Sequence, residues 1–224
     1  MHYLIRAVAG SKLYGTYTHT SDDDVVGIFV PTKEEKLGLS CREHILESKD
    51  CTMYELGKYV KLAAGGNPTI LQLLYTPEPM WLQWTDKWPG IQSQMRDLCV
   101  SQQCRPAFLG YLEQQKRKAI EGRQQRPELV EKYGFDTKFM AHAIRLGGLG
   151  REILRKGTMT FPLANKDFLL DVRYGVYDKH FCLTIVDQLE AEIRTTASIL
   201  PPTPDYDRIN QWLANTYMDL WGMK

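Results

Sequence analysis

The residues best suited to chemistry are a glycine–serine pair and a group of aspartates that follows it. Gly10 and Ser11 end one apolar run, and Ser21-Asp22-Asp23-Asp24 leads into another. A strand that ends in Gly-Ser and opens a helix presents backbone N–H groups at the positive end of the helix dipole. A phosphate can approach closely there because glycine has no Cβ, and the serine hydroxyl can add a hydrogen bond. The segment therefore predicts a phosphate-binding turn.

Two of the aspartates have the spacing of a metal site. Asp22 and Asp24 lie at the head of a predicted strand, where residues two apart share a face and are separated by about 6–7 Å along the backbone. Mg²⁺ prefers carboxylate oxygens together with substrate phosphates. A third carboxylate from a neighbouring strand would complete a two-metal clamp. Asp50 is the best candidate, and Glu55 is the alternative because the strand register is uncertain.

The elements that must hold these residues form an α+β pattern, with a small sheet in the first third and helices after it. The predicted strands cover 3–9, 24–30 and 46–53, with Asp50 inside the third, and the predicted helices cover 11–16, 54–65, 68–75, 90–103, 106–125, 136–156, 178–197 and 205–221. The stretch 77–90 is predicted to be a connector. The pattern divides the chain into a sheet-containing core at 1–90 and a helical region at 91–224.

The overall charge hides local differences. The chain has 224 residues, with 28 Lys and Arg against 27 Asp and Glu, so its formal charge of +1 excludes a strongly basic arm. Residues 1–100 hold 10 basic and 12 acidic residues, 101–156 hold 12 and 6, and 157–224 hold 6 and 9. The basic middle segment is compatible with an anionic ligand and equally with solvated helix faces.

Cysteine usage and hydropathy indicate the compartment. The five cysteines have no paired C-x2-C spacing, and the histidines are not placed to complete a zinc site. We expect reduced and mostly buried thiols in a cytoplasmic protein. The apolar run at the N-terminus is too short for a signal peptide, and no stretch approaches the roughly 18 apolar residues of a membrane helix, so no membrane partner is expected.

The pattern G-S-x3-G followed by S-D-x-D resembles the minimal motif of DNA polymerase beta-like nucleotidyltransferases. Further matching segments are Gly27–Pro31, Asp50–Leu56, Gly66-Asn67-Pro68 with Leu71–Leu74, Tyr133–Lys138 with His142 and Arg145, and Val172–Tyr177. Together they are similar to a group of predicted nucleotidyltransferases that includes proteins linked to RNA repair operons and phage relatives. The sequence departs from that pattern at Asp23, where an aromatic or apolar residue is expected.

The resemblance implies a small mixed sheet of the polymerase beta-like type and a metal-dependent nucleotidyl transfer. It makes 1–90 the catalytic core and 91–224 a helical region that contributes nucleotide and acceptor binding. It implies that Gly10, Ser11 and Lys12 contact the triphosphate, that Asp22 and Asp24 bind two Mg²⁺ or Mn²⁺ ions, and that Asp50 helps to activate the acceptor. An acceptor hydroxyl would attack the α-phosphorus of an NTP such as ATP, and pyrophosphate would leave.

Two basic helix segments are candidates for phosphate contacts. Lys138, His142 and Arg145 are spaced i, i+4, i+7 and share one helix face, which the resemblance favours as the pyrophosphate side over a plain solvent face. The predicted acceptor-binding residues on helix 106–125 are Lys116, Arg117, Lys118 and Arg123. A solvated face explains that second group equally well.

Three functions are compatible with these observations. The leading one is nucleotidyl transfer to RNA or another nucleic acid. A protein-modifying, AMP-transferring enzyme of antitoxin type is the alternative, and a non-catalytic nucleotide- or RNA-binding module is the third, against which the intact aspartates argue. The preferred NTP, the acceptor and the oligomeric state do not follow from the sequence.

Overall fold

Five strands form a mixed sheet at the start of the chain, and a computed structural model describes residues 2–121 and 126–223. The strands are β1 (His2–Val8), β2 (Val25–Val30), β3 (His44–Ser48), β4 (Cys51–Glu55) and β5 (Trp81–Trp84), in the order β3-β4-β2-β1-β5. β2 and β4 pair in parallel, and the other neighbours pair antiparallel. The alternation of apolar residues in β1 and β2 buries Leu4, Ile28 and Val30 against the helices.

Helices make up most of the remaining chain, so the predicted α+β class and helical C-terminal region are confirmed. They are α1 (Gly10–Tyr14), α2 (Lys33–Leu37), α3 (Leu56–Ala64), α4 (Pro68–Leu71), α5 (Trp88–Cys99), α6 (Cys104–Glu121), α7 (Pro127–Tyr133), α8 (Thr137–Lys156), α9 (Lys166–Arg173), α10 (Lys179–Thr195) and α11 (Tyr206–Leu220). Short 3₁₀ turns follow at Gln72–Tyr75 and Glu78–Met80. None of the described helices has a stretch long and apolar enough to span a bilayer.

The single third strand predicted at 46–53 is wrong, because these residues belong to a hairpin. β3 and β4 are antiparallel neighbours, and Lys49-Asp50 forms the turn between them. The polar run Ser48-Lys49-Asp50 interrupts the apolar alternation and is better suited to a turn than to a strand interior. Asp50 therefore stands just before β4 instead of inside a strand.

Other differences concern short elements. The predicted connector 77–90 contains the edge strand β5, and α2, α7 and α9 were not predicted. Trp81 contacts both Trp84 and Trp88 edge-on, and Trp88 is fully buried, so it fastens the segment to the core. All five cysteines are free thiols, and four of them are buried.

The sheet topology brings the motif segments to one edge. β1 runs antiparallel to β2, with Val8 opposite Val25, and β4 runs parallel to β2, with Cys51 opposite Val25. The end of β1 and the starts of β2 and β4 therefore meet. Two backbone hydrogen bonds fix this meeting: the Ala9 amide donates to the Asp24 carbonyl over 2.8 Å, and the Val25 amide donates to the Asp50 carbonyl over 2.7 Å.

Helix α8 faces this sheet edge and packs against α6, α9 and α10. Its start is fixed by Asp136, which is fully buried, accepts a hydrogen bond from the Phe139 amide and pairs with Arg126 at 2.8 Å. Thr137 donates to the Arg173 carbonyl at the end of α9. These bonds orient the first turns of α8 toward the aspartates.

Candidate active site

A cavity of about 280 Å³ lies between the sheet edge, α1, α8 and α9. The motif residues in its lining are Gly10, Ser11, Ser21, Asp22, Asp24, Lys138, His142 and Arg145, and its further lining residues include Tyr14, Leu169 and Arg173. The cavity therefore combines carboxylates from the segment before β2 with cationic side chains from α8 and α9. Burial raises the pKa of Asp24 and the positive charge of Lys138 acts against this rise, so the two kinds of group lie within electrostatic reach of each other. The structure brings seven predicted site residues into one cavity: Gly10, Ser11, Asp22, Asp24, Lys138, His142 and Arg145.

Gly10 makes room for a carboxylate as well as for a ligand. Its φ is +58°, and a Cβ at this position would lie 1.8 Å from Asp24 Oδ2 and 2.7 Å from Asp24 Cγ. Sequence reasoning assigned the missing Cβ to phosphate approach alone. In the structure, the missing Cβ leaves space for the Asp24 side chain at the start of α1. Helix α1 has only five residues, so its dipole is a weaker feature than the sequence suggested.

The three predicted metal-binding carboxylates lie near one another, and a lysine connects two of them. Lys49 Nζ is 3.3 Å from Asp22 Oδ1 and 3.5 Å from Asp50 Oδ2. Burial, and then the negative charges of Asp50 and Asp22, raise the pKa of Asp24. The hydrogen bond to Asp22 is the largest cause that raises the pKa of Lys49. The carboxylates thus repel one another and already share one cation.

The donor set fits an oxygen-seeking divalent cation. Within the described ranges 2–121 and 126–223, no group of three or more His, Cys, Asp or Glu side chains converges tightly enough to hold a metal ion. Asp50 lies outside the cavity lining. The carboxylates of Asp22 and Asp24 nevertheless line the same cavity, and the ammonium of Lys49 is the counter-ion of Asp22 and Asp50. Lys49 is 78% exposed in its side chain, so it can leave without disturbing the core.

Glu55, the alternative third carboxylate, has a structural role instead. It is 2% exposed, accepts hydrogen bonds from the Gly57 and Lys58 amides at the start of α3, and pairs with Lys36 at 3.0 Å. The Tyr217 hydroxyl from α11 donates to it as well. Its oxygens are therefore satisfied within the fold and do not face the cavity.

The i, i+4, i+7 face of α8 points into the cavity as predicted, but its members differ in charge. Burial lowers the pKa of Lys138, and Arg126 and Arg173 lower it further. Burial also lowers the pKa of His142 to about 2, with Arg145, Lys118, Arg126 and Lys138 as lesser causes. Burial therefore favours the neutral imidazole of His142, and its predicted role in nucleotide binding stays a prediction.

Arg145 is held by an aromatic ring. Its guanidinium carbon lies 4.0 Å from the Tyr14 ring centroid, and the Tyr14 hydroxyl donates to Gln72 Oε1 over 2.6 Å. Tyr14 lies within the G-S-x3-G segment, yet sequence reasoning gave it no role. Arg173, the other missed cavity residue, lies in the Val172–Tyr177 segment that resembled the family, so a signal for it was present.

The remaining predicted cationic residues that the structure describes do not line the cavity. Lys12 pairs with Asp23, which gives the unexpected third aspartate a partner outside the cavity lining. On α6, Lys116 pairs with Asp187 of α10, Lys118 lies over the Phe139 ring, and Arg117 is exposed. The acceptor-binding role of these α6 side chains stays a prediction, and Arg123 lies outside the described residues.

Comparisons with known proteins found a matching family model and a phage relative. A family model described as RNA repair pathway DNA polymerase beta family (RlaP) matches residues 2–215. An uncharacterized 38.9 kDa protein in the nrdC-mobD intergenic region of Enterobacteria phage T4 is 30% identical to the chain over 132 residues, or 53% of the chain. The chain spans 39% of that relative's length. No solved structure matches the chain significantly.

Proposed function

The chain belongs to the RNA repair pathway DNA polymerase beta family, and on this premise we propose that it transfers a nucleoside monophosphate from an NTP to an acceptor hydroxyl. The acceptor oxygen forms a bond to the α-phosphorus, the bond from that phosphorus to the β-phosphate bridging oxygen breaks, and pyrophosphate leaves. The acceptor gives up its proton to a base or to water.

One observation carries the proposal: a single cavity is lined by both aspartates and cationic side chains. The aspartates are Asp22 and Asp24, and the cationic residues are Lys138, Arg145 and Arg173. Catalysis of phosphoryl and nucleotidyl transfer consists mainly of positioning and charge stabilisation. This combination of charges suits a triphosphate whose reacting phosphorus lies near metal ions on the aspartates and whose outer phosphates contact the cationic side chains.

Within this arrangement each group has a task. The Ser11 hydroxyl can donate to a phosphate oxygen, and Lys138 and Arg145 can neutralise the outer phosphates. Neutral His142 can donate one hydrogen bond from its ring. The ring of Tyr14 keeps the Arg145 guanidinium in place, which reduces the ordering cost of binding.

Asp22 and Asp24, with Asp50 beside them, are the residues that would hold one or two Mg²⁺ or Mn²⁺ ions. Bound ions would lower the pKa of the acceptor hydroxyl and neutralise charge on the leaving group. Two carboxylates plus substrate oxygens is the usual coordination pattern of Mg²⁺ in such sites.

We propose RNA or another nucleic acid as the acceptor, and the RNA repair description of the family supports this choice. The test is incubation of the protein with each α-labelled NTP and Mg²⁺, offered RNA, DNA and protein acceptors. Label on RNA supports the proposal. Label only on polypeptide would favour the protein-modifying alternative, and nucleotide binding without any transfer would favour a non-catalytic module.

A matched pair of variants makes this test specific. Asp22→Asn combined with Asp24→Asn should abolish transfer while the fold remains intact. Asp23→Asn removes a neighbouring carboxylate that pairs with Lys12 outside the cavity lining, and it should leave transfer nearly unchanged. Incorporation of label by the double variant would contradict the assignment.

A further inference from the structure

A second cavity, of about 440 Å³, lies next to the candidate active site and shares Arg145 with it. It is formed by the second half of α8 and by the segment from Thr160 to Asn165 that precedes α9. None of the residues predicted from the sequence lies in it apart from Arg145. Its size is in the range of ligand-binding cavities.

The lining of this second cavity is basic. Its lining includes four cationic residues and one acidic residue, Glu152; the cationic residues are Arg145, Arg151, Arg155 and Lys156. Arg151 pairs with a glutamate of α10 at 2.9 Å, and Lys156 is 3.9 Å from Glu152. Arg155 has no ion pair among the described residues. The cavity therefore has uncompensated positive charge and favours an anion.

Arg145 adds an independent observation that indicates a ligand. It is only 8% exposed, and its buried Nη1 has no hydrogen-bond partner among the residues that the structure describes. The Tyr14 ring stabilises the charge but accepts no conventional hydrogen bond from the guanidinium. A buried donor without an acceptor is costly, so an oxygen of a bound anion would relieve this cost.

We propose that the second cavity binds inorganic pyrophosphate, the product that the proposed function releases, and this inference rests on that function. Arg145 lines both cavities, so the leaving pyrophosphate can move from the nucleotide cavity to the second cavity without losing its contact with this side chain. Arg155 and Lys156 then replace the cations of the first cavity. Product release would thus proceed away from the aspartates.

The test is a calorimetric titration of pyrophosphate into protein saturated with a non-hydrolysable NTP. We expect pyrophosphate to bind, and the variant Arg155→Gln/Lys156→Gln to bind it about tenfold more weakly because two cations are lost. The control Arg208→Gln removes an exposed arginine of α11 that lines neither cavity, and it should leave the affinity unchanged. The NTP affinity should change less than the pyrophosphate affinity in the double variant.

Absence of pyrophosphate binding to the saturated protein, or equal affinity in the double variant, would overturn the inference. A double variant that binds single-stranded RNA more weakly but pyrophosphate unchanged would also overturn it, since the cavity would then serve the acceptor. The titration needs no catalysis. If the NTP itself fails to bind, the proposed function fails, while titration of the nucleotide-free protein with pyrophosphate still tests the second cavity.

Discussion

Replacing Gly10 by alanine tests whether this glycine exists to admit the Asp24 carboxylate. A non-glycine residue at φ +58° costs about 1–2 kcal/mol. The added Cβ would also lie 1.8 Å from Asp24 Oδ2 and 2.9 Å from Asp24 Cβ, so side-chain rotation alone cannot remove the contact. Overpacking of this kind costs roughly 1–3 kcal/mol more. We expect Gly10→Ala to lower the free energy of unfolding by about 2–5 kcal/mol in total.

Gly134 provides the matched control because its φ is +79° and a Cβ there would meet no atom within 4 Å. Gly134→Ala should therefore show only the backbone cost, about 1–2 kcal/mol. Urea unfolding with EDTA measures both, and each kcal/mol corresponds to roughly 2–4 °C in melting temperature for a chain of this size. Adding Asp24→Ala to Gly10→Ala should recover part of the loss. Equal destabilisation by Gly10→Ala and Gly134→Ala would refute the reasoning.

Three further predictions concern charges in and near the site. The pKa of Asp24 is raised in the folded state, so the charged carboxylate destabilises the metal-free protein at pH 7. Asp24→Asn should therefore be more stable than the wild type at pH 7 and lose this advantage as pH falls toward 4. Urea midpoints in EDTA measure the difference, and an advantage independent of pH would contradict the prediction. Lys49→Gln removes the ammonium that pairs with Asp22 and should tighten Mn²⁺ binding by up to about fivefold in electron paramagnetic resonance titrations, whereas weaker binding would show that the lysine supports the metal site. Tyr217→Phe leaves buried Glu55 one donor short and should cost roughly 1–3 kcal/mol of stability without changing NTP affinity; a large loss of NTP affinity would tie this network to the site.

The placement of the motif residues at the sheet edge could be predicted from the sequence because its determinants are local. Gly10, Ser11, Asp22 and Asp24 occur within 15 consecutive positions, and apolar runs on both sides identify the strands that carry them. The face of α8 that carries Lys138 follows from helical periodicity alone. Such features need no knowledge of which distant segments come together.

The features that were missed or misjudged depend on tertiary neighbours. The pKa of His142 is lowered first by burial and then by nearby cations, which include Lys118 and Arg126 from other segments. Glu55 accepts a hydrogen bond from Tyr217, which is 162 positions away, and does not line the cavity. The position of Asp50 depended on a hairpin turn that interrupted a weak strand pattern. No spacing rule relates these partners, so the sequence could not indicate them.

The most direct test of nucleotidyl transfer is the stoichiometry of its two products. Pyrophosphate released and nucleoside monophosphate attached to the acceptor are measured in the same reaction, with Mg²⁺ and an α-labelled NTP. The wild type should release one pyrophosphate for each monophosphate attached, and Asp22→Asn/Asp24→Asn should yield neither product. Pyrophosphate without attached label, release of inorganic phosphate instead, or transfer by the double variant would contradict the proposed function.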